Sequence, residues 1–167
     1  FGTTEKLNKA WGMARWSLEY NSFEEIEPPY PNQWRHPSLR KAWWDYQCHL
    51  IKTFSDEQAD ILHKYGCSNI GTDMMPHNFL DYYAVNEKLD VVQYNHYDAA
   101  DGLFRNVFAY DFLRCVKDKP FWVTETQVGW NGSEFAECGY RPVGNCYVNT
   151  WLPIAKGAEM NLYWLFR

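Results

Sequence analysis

Between residues 119 and 130 the chain reads Lys119-Pro120-Phe121-Trp122-Val123-Thr124-Glu125-Thr126-Gln127-Val128-Gly129-Trp130. Proline opens the run, three bulky residues follow, and a carboxylate stands just before Gly129 breaks the pattern. A short continuous apolar run bounded by Pro and Gly suits a strand buried on both faces, as in a parallel sheet. Glu125 then falls at the strand's carboxyl end, where α/β folds place ligands and catalytic groups. Burying an anion costs several kcal/mol unless it is paired or functional. Two readings follow: a structural ion pair with a neighbouring Lys or Arg, or a working carboxylate.

Outward from this run, helical and extended patterns alternate. Residues 3 to 17 read as a helix capped by Thr3, with Leu7, Ala10, Trp11 and Ala14 on one face. Glu27-Pro28-Pro29-Tyr30-Pro31 cannot continue it and predicts an extended loop. Pro37 suits the first position of a long helix closed by Gly66. Its stripe of Leu39, Trp43, Tyr46, Leu50, Phe54, Ile61 and Leu62 is expected to face the core. Ser68–Met74 is a weaker strand candidate, followed by a helix over Phe79–Lys88. Leu89–Tyr97 is a stronger strand, apolar and β-branched before it turns polar at its end. A helix over Leu103–Lys117 leads into the Phe121 strand. A polar loop through Gly144, a helix over Tyr147–Lys156 and a last strand over Asn161–Arg167 complete the chain.

Four strands separated by helices predict an α/β fold with a parallel sheet. An open doubly wound sheet and a (β/α)8 TIM barrel compete. The open sheet usually carries a Gly-rich phosphate turn, and neither GxGxxG nor GxxxxGK[ST] occurs. The strands end instead in Asp73; in Asn95, His96 and Tyr97; in Glu125; and in Trp164 and Arg167. Barrel strands converge at one face, so these groups would meet in one pocket. Four βα units are only half of such a barrel, which takes about 250 residues, so the chain reads as the second half of one.

Composition narrows the chemistry. A net charge of −5 leaves no basic footprint for nucleic acid, and no apolar run approaches the roughly 20 residues of a membrane span. Nine Trp and twelve Tyr are a surplus that suits sugar rings as well as cores. Five scattered Cys without a CxxC pair argue against a disulfide framework or structural zinc and fit a reducing, cytoplasmic setting. No metal ligand set and no cofactor are expected. His96 reads as a hydrogen-bonded strand-end residue, since no second His or Cys is spaced to share a metal.

Five blocks in order resemble the catalytic barrel of the glycoside hydrolase family 42 β-galactosidases. They are Phe1-Gly2-Thr3-Thr4-Glu5-Lys6-Leu7-Asn8-Lys9-Ala10-Trp11-Gly12 with Trp16-Ser17 and Tyr20; His36-Pro37-Ser38-Leu39; Leu89-Asp90-Val91-Val92 leading to Tyr97; Lys119-Pro120-Phe121-Trp122 up to Glu125; and Gly157-Ala158-Glu159 with Tyr163–Arg167. The resemblance implies approximately strands 5 to 8 of the barrel, so residues 1–167 would be the C-terminal half of a catalytic domain. It implies retaining hydrolysis of terminal β-galactosides by double displacement, with Glu125 as nucleophile. The acid/base would be a Glu in an Asn-Glu pair ending the fourth strand, upstream of Phe1. Asn86-Glu87 is rejected for that part because it falls at a helix end.

By the same resemblance Tyr97 donates a hydrogen bond that keeps Glu125 ionised. Asn95 stands where many relatives have Asp, and Trp130 offers a flat wall to a sugar, although in many relatives the pocket Trp falls where Ser133 stands. Trp164 lines the pocket or fills the barrel interior, and Arg167 is the candidate counter-ion for a structural carboxylate. A galactoside substrate and a homotrimer in the intact enzyme are implied; alone, the segment would be inactive. Another retaining β-glycosidase of the same barrel type, or a non-catalytic sugar-binding half-barrel, are the alternative functions.

Overall fold

Phe121–Thr126 forms β2, the central strand of a three-stranded sheet in the computed structural model of the chain. It lies between β1 (Gln93–Asn95) and β3 (Ala158–Tyr163), and both pairings are parallel. The structure describes residues 1–31, 34–74, 80–97, 102–127 and 142–164. Trp130, Ser133 and Arg167 lie outside these residues.

Helices connect the parallel strands, as parallel pairing requires. α4 (Leu103–Lys117) joins β1 to β2, and α5 (Asn145–Ala155) stands between β2 and β3. α4 buries Asn106, Tyr110, Leu113 and Val116, one face at helical spacing. Tyr110 stacks on Phe121 with ring centroids 5.9 Å apart. Phe121, Val123 and Leu113 are fully buried, so the core of this part lies between α4 and β2. Truncating Phe121 to Ala would cost about 3–5 kcal/mol.

α5 contains Pro153, which cannot donate to the carbonyl four residues back. That carbonyl, on Asn149, instead accepts from Asn161 Nδ2 on β3 at 3.0 Å. The helix-breaking residue is therefore compensated from the sheet.

The ladder carries an extra residue on β2. Tyr94 pairs with Val123 but Asn95 with Glu125, and on the other side Asn161 pairs with Val123 but Tyr163 with Thr126. This is a β-bulge at Thr124–Glu125, a device that re-aims side chains near sites.

Several expectations change. The helix over 3–17 stops at Trp11: α1 spans Thr4–Trp11, and Gly12 adopts a left-handed φ of 66° before a 3-10 turn, Met13–Trp16. The long helix α2 spans Pro37–Lys64 as expected. Its predicted core stripe is not the buried one: Leu39 is buried, but Tyr46, Leu50, Phe54, Ile61 and Leu62 are exposed. The buried positions further along are Cys48, Ser55 and Ala59, small residues at spacings of seven and four that share one face.

Residues 70–74 are extended but not a regular strand. Ile70 C=O accepts from Asp90 and Val91 N–H, and Met74 C=O from Asn95 N–H. Between those ends Gln93 lies against Gly71, so close that a Cβ on Gly71 would come within 2.7 Å of Gln93 Cγ. Of the helix expected over 79–88, α3 (Tyr82–Val85) is the regular part, capped by the Asp81 side chain. The last strand begins at Ala158, three residues before its predicted start, directly after Gly157 at a φ of 101°.

The chain divides into two compact units, Phe1–Leu50 and Ile51–Arg167. In the first, Asn8 pins the loop by bonding both N–H and C=O of Tyr20. The sheet and the groups described next belong to the second.

Candidate active site

The carboxyl ends of β1 and β2 bring three predicted residues together. Glu125, half-buried, is held twice by the segment leaving β1: its C=O accepts from His96 N–H at 2.8 Å, and its Oε2 accepts from the Tyr97 hydroxyl. Burial first, then that bond and the charges of Glu125 and Asp73, push the Tyr97 phenol above its ordinary value of 10.0. The phenol therefore stays a donor across the neutral range. Glu125 has no ion pair among the described residues, and Arg167, its candidate counter-ion, lies outside them.

Asn95 is 5% exposed, and its Oδ1 lies 3.0 Å from the Thr124 hydroxyl. The same hydroxyl is 3.0 Å from Asp73 Oδ1. Trp164 follows β3, its N–H bonded to Thr126 C=O at 2.7 Å. It is 47% exposed. Trp130 lies outside the described residues.

His96 turns away from this pair. Its Nε2 is 2.7 Å from Asn106 Oδ1, and its ring packs between Tyr94 and Tyr110. Glu87, of the rejected Asn-Glu pair, forms an ion pair with Lys52 on α2.

Sequence reasoning missed a supporting layer. Gln127 Nε2 donates to Tyr97 C=O at 2.7 Å, while Gln127 C=O accepts from Asn145 and Asn149 of α5. Both asparagines are buried. The available signal was the pair itself: two Asn one helical turn apart on an apolar helix need buried acceptors. Among the described residues no group of three or more His, Cys, Asp or Glu is placed to hold a metal, and no helix is long and apolar enough to cross a membrane.

A carboxylate at the end of a central parallel strand, with a phenol donor and no ion-paired cation among the described residues, can act as a nucleophile or base. The sequence model of the glycoside hydrolase family 42 β-galactosidases matches residues 1–167. The chain belongs to that family. It is 28% identical to β-galactosidase YesZ of Bacillus subtilis, covering 100% of this chain and 26% of that protein. It is 29% identical to a β-galactosidase of Thermus thermophilus, covering 100% and 29%. Among solved structures, the polyextremophilic β-galactosidase of Halorubrum lacusprofundi superposes with a TM-score of 0.82 at 29% identity, over 100% of this chain and 28% of that one. The chain thus spans between a quarter and a third of the length of these family members.

Proposed function

We propose that residues 1–167 carry the nucleophile side of a retaining β-galactosidase, as approximately strands 5 to 8 of a (β/α)8 barrel and its C-terminal half. Glu125 attacks the anomeric carbon of a terminal β-galactoside as the leaving-group oxygen departs, giving a galactosyl-enzyme ester. A second carboxyl group, supplied from outside these residues and about 5 Å away across the bond, protonates that oxygen. It then deprotonates the water that releases galactose. Tyr97 holds Glu125 in its attacking form by donating to Oε2. Trp130 and Trp164 offer flat faces to the sugar, and Asn95 sits at the edge of the same pocket.

The observation that carries this reading is the Tyr97 hydroxyl bond to Glu125 at the carboxyl end of the central strand. A phenol donor fixes one carboxylate oxygen and leaves the other to attack, without the charge neutralisation a guanidinium would bring. The family membership supplies the substrate class. A cytoplasmic homotrimer is part of the same reading. Free Cys67, Cys115 and Cys146 are compatible with the compartment, and light scattering on the intact enzyme tests the trimer.

Glu125→Ala in the full-length protein should abolish galactoside hydrolysis with the fold intact. Added azide should restore cleavage and yield the α-galactosyl azide, the inverted product. Turnover within tenfold of the parent in that variant removes Glu125 from the role.

A further inference from the structure

The bulge on β2 sets Thr124 and Glu125 opposite one residue, Asn95. Glu125 is taken by Tyr97. Thr124 meets two oxygens at the same distance: its Oγ1 is 3.0 Å from Asp73 Oδ1 and 3.0 Å from Asn95 Oδ1. A hydroxyl has one proton to donate, and an ionised carboxylate only accepts. With the Asn95 carbonyl facing Thr124, two acceptors compete for that proton and one contact is repulsive, whereas turning the amide end for end brings its Nδ2–H to the hydroxyl. The two ends of an amide occupy interchangeable positions, and only one orientation satisfies all three groups. We infer that Asp73, Thr124 and Asn95 form a hydrogen-bonded relay of fixed direction, Asn95 Nδ2–H to Thr124 Oγ1–H to Asp73 Oδ1, that positions Glu125 through the bulge.

The relay ties the bulged residue to both of its neighbours at once, β1 and the extended 70–74 segment beside it. Thr124 immediately precedes Glu125, so its tether limits where the carboxylate can sit. Asp73 is thereby a positioning residue, although it does not touch Glu125. Its charge also reaches Tyr97, where it adds to the influences that keep the phenol protonated. Among the described residues, the other titratable groups beside the relay are Tyr97 and Glu125; His96, next to Asn95, is engaged with Asn106.

What the relay does to turnover rests on the reading of Glu125 as nucleophile, whereas its direction rests on geometry alone. The direction is tested by exchanging its ends. In the full-length protein Asn95→Asp places two carboxyl groups on one hydroxyl, so the array needs an added proton. Its kcat should fall by tenfold or more at pH 8 with KM within threefold, and the ratio to the parent should rise as pH drops toward 5. The double change Asp73→Asn with Asn95→Asp reverses the relay and should recover at least tenfold in kcat, with a flat pH ratio. Melting temperature should follow the same order, low for Asn95→Asp at pH 8 and recovered in the double variant. That readout needs no turnover, so an inactive parent would sink the hydrolase reading while still testing the relay. A double variant no better than Asn95→Asp in melting temperature and rate overturns the relay, as does a flat pH ratio for Asn95→Asp. If Asn95→Asp does not fold, Thr124→Ser against Thr124→Val decides: Ser keeps the bridge and should melt and turn over near the parent, Val should not. Equal behaviour of the two also overturns it.

Discussion

Replacing Tyr97 with Phe removes a single hydroxyl and keeps the ring that packs at the end of β1. The bond lost is the one donated to Glu125 Oε2. A hydrogen bond to a charged acceptor contributes about 1.5–3 kcal/mol, and about 1.4 kcal/mol is tenfold in rate. A loss of about 10- to 100-fold in kcat/KM is therefore expected, nearer the lower figure because Tyr97 is only half-buried. The assay is steady-state hydrolysis of a nitrophenyl β-galactoside by the full-length protein from pH 5 to pH 9, with a melt at each pH. Because the phenol is held above its ordinary value of 10.0, Tyr97 does not ionise in that range. The alkaline side of the variant's profile should match the parent's. Stability has a sign too. A raised folded-state value means that stability present below pH 10 is lost as pH climbs beyond it. Tyr97→Phe escapes that loss, so above about pH 10 its melting temperature should fall less steeply. Turnover within twofold of the parent at every pH would refute the argument that this phenol sustains the carboxylate.

Other expectations concern the frame. Gly71→Ala forces a Cβ into the Gln93 side chain and should cost about 1–3 kcal/mol. Gln93→Ala in the same chain should return most of it, a coupling read by a double-mutant cycle of chemical melts. Asp90 accepts from Ile70 N–H at 2.9 Å and from the His63 ring, which together lower its carboxyl below the usual value. Asp90→Ala should cost about 1–2 kcal/mol near neutral pH. A depressed folded-state value gives stability present above the unfolded value of 3.8 and lost as pH falls through the folded one, so parent and variant melts should converge near pH 3.

The alternation of strand and helix was legible because its punctuation is chemical: Pro120 opens β2, Pro37 opens α2 and Gly157 turns into β3. The strand position of Glu125 followed from the same punctuation. What escaped were features set by tertiary contact. Nothing in Phe121-Trp122-Val123-Thr124-Glu125-Thr126 announces a bulge: the bulky run reads as buried on both faces, whereas only Phe121, Val123 and Thr126 are buried and the alternation breaks at Thr124–Glu125. β3 starts three residues before its expected first residue, Asn161, because the polar Glu159 hides the strand pattern, and Asn161 itself bonds the carbonyl left by Pro153. On α2 the bulky residues read as the buried face. In the structure the small residues Cys48, Ser55 and Ala59 are covered, and the large ones lie outward. Asp73 and Asn95 were legible as strand ends that converge, but not the Thr124 hydroxyl between them, which the bulge alone places there.

The most direct test is to trap the sugar on the chain. A 2-deoxy-2-fluoro-β-galactosyl fluoride carries a leaving group that needs little protonation, and its fluorine slows release of the ester. After incubation with the full-length protein, digestion and mass spectrometry should find one fluorogalactosyl unit on the peptide spanning Glu125, and none after Glu125→Gln. A label on a different carboxylate, or full inactivation with this peptide unmodified, would contradict the account.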